Sequence, residues 1–254
     1  DSNMSGNVSY AAITSTGDLS APPNCSGTSY GLWCVDSTNR INGTNGLGAA
    51  AATVFNNTIY IAGGTDSSNW QSNIYRVSLN TDGSLTGAWQ SQTFNSVGMA
   101  SSRASGDDAR GYMYMFTRSN PSSAGTNPGN LYILGGCSAT AGIGCSAYFD
   151  NVIKCNIAVA GTVNGCTESG QMQIDADNIN SGVQGIGLMA GTVYANRLYL
   201  VGGACTAVTS YANETDPCAS DTSPSITNNA NRKETMYAKI NDSNNIVDND
   251  TGSS

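Results

Sequence analysis

Among the side chains able to do chemistry, those that gather in sequence are aromatic and polar. Tyr30, Trp33, Trp70, Tyr148, Phe149 and Tyr211 stand near Arg40, Asp66, Gln71, Asp150, Glu214 and Asp216. Rings beside amides and carboxylates suit sugar or peptide recognition, because the ring covers an apolar face while the planar polar groups fix hydroxyls or amides. Packing competes with this for every ring: Trp33 adjoins Cys34 and could cover a disulfide instead. The 254 residues contain no histidine. That removes His-activated nucleophiles, His-ligated zinc or copper and the usual neutral-pH proton shuttle, leaving acid–base work to carboxylates. Two acidic stretches, "DAD" at Asp175–Asp177 and "DNDTG" at Asp248–Gly252, hint at Ca²⁺. Neither completes a calcium loop with a distal Glu, so both read as solvated turns and no cofactor or metal is expected.

The eight cysteines fall into four sequence neighbours: Cys25/Cys34, Cys137/Cys145, Cys155/Cys166 and Cys205/Cys218. An even count, local pairs and the absence of Cys-x2-Cys spacing read as disulfides rather than zinc ligands. An oxidising, extracellular or cell-surface location follows. Eight Asn-x-Ser/Thr sequons (Asn3, Asn7, Asn24, Asn42, Asn56, Asn213, Asn241, Asn249) fit a secreted glycoprotein, although so Asn-rich a chain generates sequons by composition alone. With 10 basic against 18 acidic residues and a net charge of -8, no Lys/Arg footprint exists for nucleic acid or an anionic membrane. No segment approaches the roughly 20 apolar residues of a membrane span, so no membrane insertion is expected.

What could position these groups is a repeat. "NVSYAAITSTGDL" from Asn7, "NIYRVSLNTDGSL" from Asn73, "NVIKCNIAVAGTV" from Asn151 and "ETMYAKINDSNNI" from Glu234 align without gaps. Apolar or small residues recur at Ala11/Val77/Cys155/Ala238 and Ile13/Leu79/Ile157/Ile240, the period-two pattern of a strand. Gly17/Gly83/Gly161/Asn244 then supply the positive φ of a tight two-residue turn, and a strand resumes at Leu19/Leu85/Val163/Ile246. Each unit is therefore a β-hairpin, and its register sets Cys155 opposite Cys166. A second hairpin precedes it in "AAATVFNNTIYIAGG" and "GTVYANRLYLVGG", with a longer connection in the middle copy between "GYMYMF" and "LYILGG". Two hairpins in succession make a four-stranded sheet. Such sheets, repeated with Gly-Gly closing the second strand, are blades of a β-propeller.

Gly63-Gly64, Gly135-Gly136 and Gly202-Gly203, with Tyr75 followed by Trp89, resemble the kelch class of propellers. The Tyr-to-Trp separation is longer than in the kelch pattern and only one copy keeps the Trp. The expected fold is all-β: one β-propeller segment over 1–254, made of a half blade at 1–20 and four-stranded antiparallel blades at about 45–92, 108–170 and 187–250. A chain that opens on Asp1 inside a repeat, with too few residues after the last hairpin to supply inner strands, is expected to be part of a longer protein. Either further blades of the same chain or another copy would close the ring.

In such a blade the connections between strands two and three, and between blades, emerge on one face. Here these are the long ones, and three predicted disulfides (25/34, 137/145, 205/218) fall on them. The resemblance also brings radical-copper oxidases into view, but their metal needs histidines that this chain lacks. Sialidase-type propellers carry Asp-x-Gly-x-x-Trp turns and an arginine cluster. Asp82 directly precedes Gly83 instead, and the arginines do not recur in register. A carboxylate-based glycoside hydrolase is therefore the weakest of three readings. The leading expectation is a non-enzymatic extracellular binding or adhesion module whose braced loop face takes glycan or protein through Tyr30, Trp33, Asp66, Trp70, Tyr148, Asp150 and Tyr211. The alternative is a structural subunit of an extracellular filament or surface layer, with half-blades pairing between copies.

Overall fold

The structure, a computed structural model, describes residues 6–25, 27–42, 46–66, 69–97, 109–123, 125–138, 145, 147–149, 151–171, 186–206, 229–231 and 235–247. Three four-stranded antiparallel sheets form in sequence order. The first blade comprises Ala51–Phe55, Thr58–Ala62, Asn73–Ser78 and Gln90–Thr93. The second comprises Tyr114–Ser119, Gly129–Leu134, Asn151–Ile157 and Val163–Gln171. The third comprises Ala190–Tyr194, Arg197–Val201, Thr235–Ile240 and Ile246–Val247. The fold is all-β, and these four-stranded antiparallel sheets are the blades of a β-propeller. First strands lie side by side near the axis, where the Thr117 hydroxyl donates to the Val54 carbonyl at 2.8 Å.

The hairpin repeat lies in register throughout. Ile13 pairs with Leu19, Leu79 with Leu85, Ile157 with Val163 and Ile240 with Ile246. Its turn is one residue longer than the two-residue connection expected. The amides of Thr14, Asn80, Ala158 and Asn241 reach the carbonyls of Asp18, Ser84, Thr162 and Asn245, enclosing three residues. Only the last of the three is left-handed, Gly17, Gly83, Gly161 or Asn244. This is a type I turn closed by a left-handed residue. The connections between first and second strands are tighter: Asn56-Asn57 and Ala195-Asn196 have positive φ at both residues, as a type I′ turn demands.

The N-terminal unit differs from expectation. Residues 21–48 include strands Thr28–Tyr30 and Trp33–Asp36, and the latter pairs with Val8–Tyr10 as a fourth strand, Tyr10 opposite Cys34 and Val8 opposite Asp36. Third strands run from the loop face to the turn face, so Trp33, beyond Tyr10, lies at the turn end. The disulfide Cys25–Cys34 is there too, since neighbouring Asn24 donates to Asp82 in the first blade's turn at 2.8 Å. Cys137–Cys145 and Cys155–Cys166 are also formed, and Cys218 lies outside the described residues. Three disulfides call for an oxidising compartment. No helix among the described residues is long and apolar enough to cross a membrane.

Blades pack face to face. Tyr60, Ala62 and Ile74 of the first meet Met115, Leu131, Ile153 and Ile157 of the second. Tyr132, Leu134 and Val152 of the second meet Leu198, Leu200 and Ile240 of the third. Each interface is latched at the turn face. Tyr60 donates to Gly161 O at 2.9 Å and Arg76 to Ala160 O at 3.1 Å. Tyr132 likewise donates to Asn244 O, and Lys154 to Ser243 O at 3.0 Å. Burial pushes the Tyr132 phenol up to about 12, so it remains a donor through the neutral range.

The contact between half-blade and first blade includes a hydrogen bond to a carboxylate. The Ser84 hydroxyl, the Asn24 amide and the Ser84 backbone N–H all donate to Asp82 and hold its carboxyl at about 2. A carboxyl lowered on folding stabilises above its unfolded value and loses that contribution as pH falls through its folded value. The Asp82 resonance in a carboxyl-detected NMR titration is therefore expected to have a midpoint near 2. Asn24→Ala should move it upward; an unmoved midpoint would mean that Asn24 does not hold the turn.

Candidate functional site

Where the chain enters each blade from the loop face, the same three-residue device recurs. Gly48, Gly111 and Gly187 pair with Thr65, Cys137 and Ala204, the residues that follow the three diglycines. The next residues, Ala49, Tyr112 and Leu188, are left-handed, with φ of 53°, 54° and 58°. Side chains crowd the following carbonyl in this region, at roughly 1–2 kcal/mol per residue. The conformation joins the blades: the Tyr112 amide donates to Ala49 O at 2.7 Å, and the Leu188 amide to Tyr112 O at 2.8 Å. The backbone thus forms a collar at the loop-face end of the inner strands. It leaves Tyr112 37% and Leu188 47% exposed. Strain persists where surroundings over-determine it, and such places are candidates for function.

The surroundings do over-determine it. Beneath the collar run the diglycines, all six residues with positive φ. A Cβ on Gly64 would sit 2.6 Å from Gly48 O, and one on Gly136 would sit 2.7 Å from Gly111 O. Aromatics close the collar from the side. The Trp70 ring lies on Gly111, where a Cβ would come within 2.5 Å of Cζ3, and meets Tyr112 edge-on at 6.0 Å. Tyr148 lies on Gly187 in the same manner, 3.2 Å from the position of a Cβ. Trp70 and Tyr148 pack with Cys137 and Cys145, so this disulfide braces the collar's support. Trp70→Ala is expected to cost about 2–3 kcal/mol, below the 3–5 of a fully buried Trp because the ring is half-buried. Urea denaturation would measure it, and a loss under 1 kcal/mol would mean that the ring is not a brace.

Charge and amides set the loop that carries Trp70. Buried Asp66 accepts from the Asn69 amide at 2.7 Å and from Gln71 Nε2 at 3.0 Å. Arg110, fully buried, gives its amide to Gln71 O and accepts Gly64 N–H at its own carbonyl. Its guanidinium lies 3.7 Å above the Phe149 ring and donates to Asn151 Oδ1 at 2.7 Å. A cation desolvated over a ring is held strongly, so Arg110 pins the first blade's loop to the second blade.

Of the residues expected to bind, Asp66, Trp70 and Tyr148 come together, with Phe149 and Gln71, directly under the collar. Tyr30 and Trp33 pair across their own hairpin, exposed at the turn end. They do not join the loop-face group, because the strand they extend runs away from it. Asp150, Tyr211, Glu214 and Asp216 lie outside the described residues, as do Asp175–Asp177 and Asp248–Gly252. Among the described residues no group of three His, Cys, Asp or Glu could hold a metal ion. The sequence does little to mark Tyr112, Leu188 and Arg110. Their only signal was a glycine at a fixed offset before each inner strand, in Gly48-Ala49-Ala50, Gly111-Tyr112-Met113 and Gly187-Leu188-Met189.

The kelch motif family model matches residues 47–82, from Leu47, just before the first collar glycine, to Asp82 in the turn after the first blade's third strand. The solved structure of YjhT aligns over 85% of this chain and 48% of its own, with 13% identity and a TM-score of 0.48. This chain thus spans about half the length of that structure. No curated protein sequence matches it.

Proposed function

We propose that this propeller is an extracellular binding module that captures a protein or glycan ligand on its loop face, at the collar carrying Tyr112 and Leu188. The observation that carries this reading is the strain. Two bulky side chains are held in left-handed backbone and displayed to solvent at the axis, where glycine would sit more easily. An exposed ring beside an exposed aliphatic side chain can cover the apolar face of a sugar or take an apolar side chain of a protein. Disulfide bracing and a kelch-like fold are consistent with such a role outside the cell. A glycan array and a partner pull-down test it. Tyr112→Ala should lose capture, and Trp33→Ala, at the turn end, should keep it. Retention by the first variant with loss by the second would move the site to the other face.

A further inference from the structure

Between the second and third blades, toward the turn face, lies a cleft of about 560 Å³. Lys154, Asn156, Thr167 and Asn245 line it, and Glu168 is the one carboxylate among its lining residues. The second blade's outer strand, Val163–Gln171, slips register against Asn151–Ile157 on both sides of Ile153 and Lys154, and such bulges re-aim side chains. Lys154 Nζ donates to Ser243 O at 3.0 Å and to Asn245 Oδ1 at 2.9 Å.

Holding the blades together does not require the second of these bonds. At the preceding interface Arg76 donates to Ala160 O, as Lys154 does to Ser243 O. There Thr162 takes the place of Asn245, because the Ala158 amide reaches Thr162 O as the Asn241 amide reaches Asn245 O. A guanidinium stays protonated and is no nucleophile, and threonine has no carboxamide. At the second interface both positions are changed, to a primary amine and a carboxamide in contact. A carbonyl bond spans about 1.23 Å, so Nζ stands no farther than about 4 Å from Asn245 Cγ. Reacting atoms about 3–3.5 Å apart are in attack geometry, which a small rotation of the carboxamide reaches. Burial pushes the Lys154 ammonium below its usual range, which raises the share of free amine.

We infer that Lys154 and Asn245 react to form an isopeptide bond that staples the second blade to the turn of the third, with Glu168 as the proton carrier. The Lys154 free amine attacks Asn245 Cγ, forming the new C–N bond and a tetrahedral centre. Glu168 accepts the proton released by Nζ and delivers it to the Asn245 amide nitrogen. The original C–N bond then breaks and ammonia leaves. One C–N bond replaces another and nothing is oxidised or reduced, so no co-reactant is needed. The collar takes no part, and loop-face variants should leave the bond unchanged.

Mass spectrometry of the purified chain, fully reduced and incubated at neutral pH, tests the inference. The wild type should weigh less than its sequence by one ammonia, and digestion should yield a branched peptide joining Lys154 to Asn245. A succinimide at Asn164-Gly165 would give the same loss of mass without the branch, so the branched peptide is the decisive readout. Lys154→Arg keeps a donor for Ser243 O, and Asn245→Ala keeps the backbone of the turn. Both should fold by circular dichroism, lack the branched peptide and regain the full mass. Glu168→Gln should form the branched peptide at least tenfold more slowly. A wild type that stays at full mass, or that loses ammonia without the branched peptide, overturns the inference. Native cross-linking in Glu168→Gln overturns the role of that carboxylate.

Discussion

Gly136→Ala should be among the most damaging single substitutions in this fold, costing about 3 kcal/mol or more of stability. Two effects add. At φ of +98° an L side chain costs roughly 1–2 kcal/mol from its own backbone. The new Cβ would also stand 2.7 Å from Gly111 O and 3.1 Å from Met113 Cβ, and such overpacking typically costs about 1–3 kcal/mol. Gly111 cannot retreat. Its N–H and C=O are both bonded to Cys137, at 3.0 and 2.9 Å, and the Trp70 ring lies against it. Gly83→Ala is the control, since φ there is +83° but nothing lies within 4 Å of the added carbon. It should lose only the conformational part, about 1–2 kcal/mol. Urea midpoints of the two variants separate the contributions, and equal midpoints would mean that the diglycine is not a close-approach device.

The blade plan could be read from the chain because it is local. Period-two alternation and a positive-φ residue at fixed offset align Ile13, Leu79, Ile157 and Ile240 with the residues they pair, and nothing distant decides those pairings. Turn length is not legible in this way, because glycine marks where the left-handed residue sits, not how many residues precede it. Strands Thr28–Tyr30 and Trp33–Asp36 look like a connection in the sequence for a different reason: they alternate weakly, and what fixes Trp33–Asp36 is pairing with Val8–Tyr10, remote in sequence. That pairing sets Tyr30 and Trp33 at the turn end and not on the loop face. Trp70, Tyr148 and Asp66 were recognisable as loop residues, but their burial was not, since it depends on Gly111, Gly187 and Arg110 arriving from neighbouring blades. Tyr112 and Leu188 were the hardest to see. Each is an apolar residue entering an apolar run, which reads as strand, and left-handed backbone at a tyrosine or leucine leaves no compositional trace.

Glycine at the collar separates recognition from stability, because the native residues are there at a conformational cost. In Leu188→Gly the relief of left-handed strain, about 1 kcal/mol, is offset by the greater freedom glycine adds to the unfolded chain, about 0.5–1 kcal/mol. The lost side chain is half exposed and contributes little to the core. Stability should change by less than about 1 kcal/mol. Capture should fall by far more, since an exposed anchor at the centre of a binding face is worth about 2 kcal/mol or more, roughly thirtyfold in affinity. The measurement is the affinity of Leu188→Gly for the ligand found by array or pull-down, taken beside its thermal midpoint. The collar reading predicts a midpoint within a few degrees of the native protein and a loss of capture of at least thirtyfold; native affinity in a stably folded Leu188→Gly would contradict it.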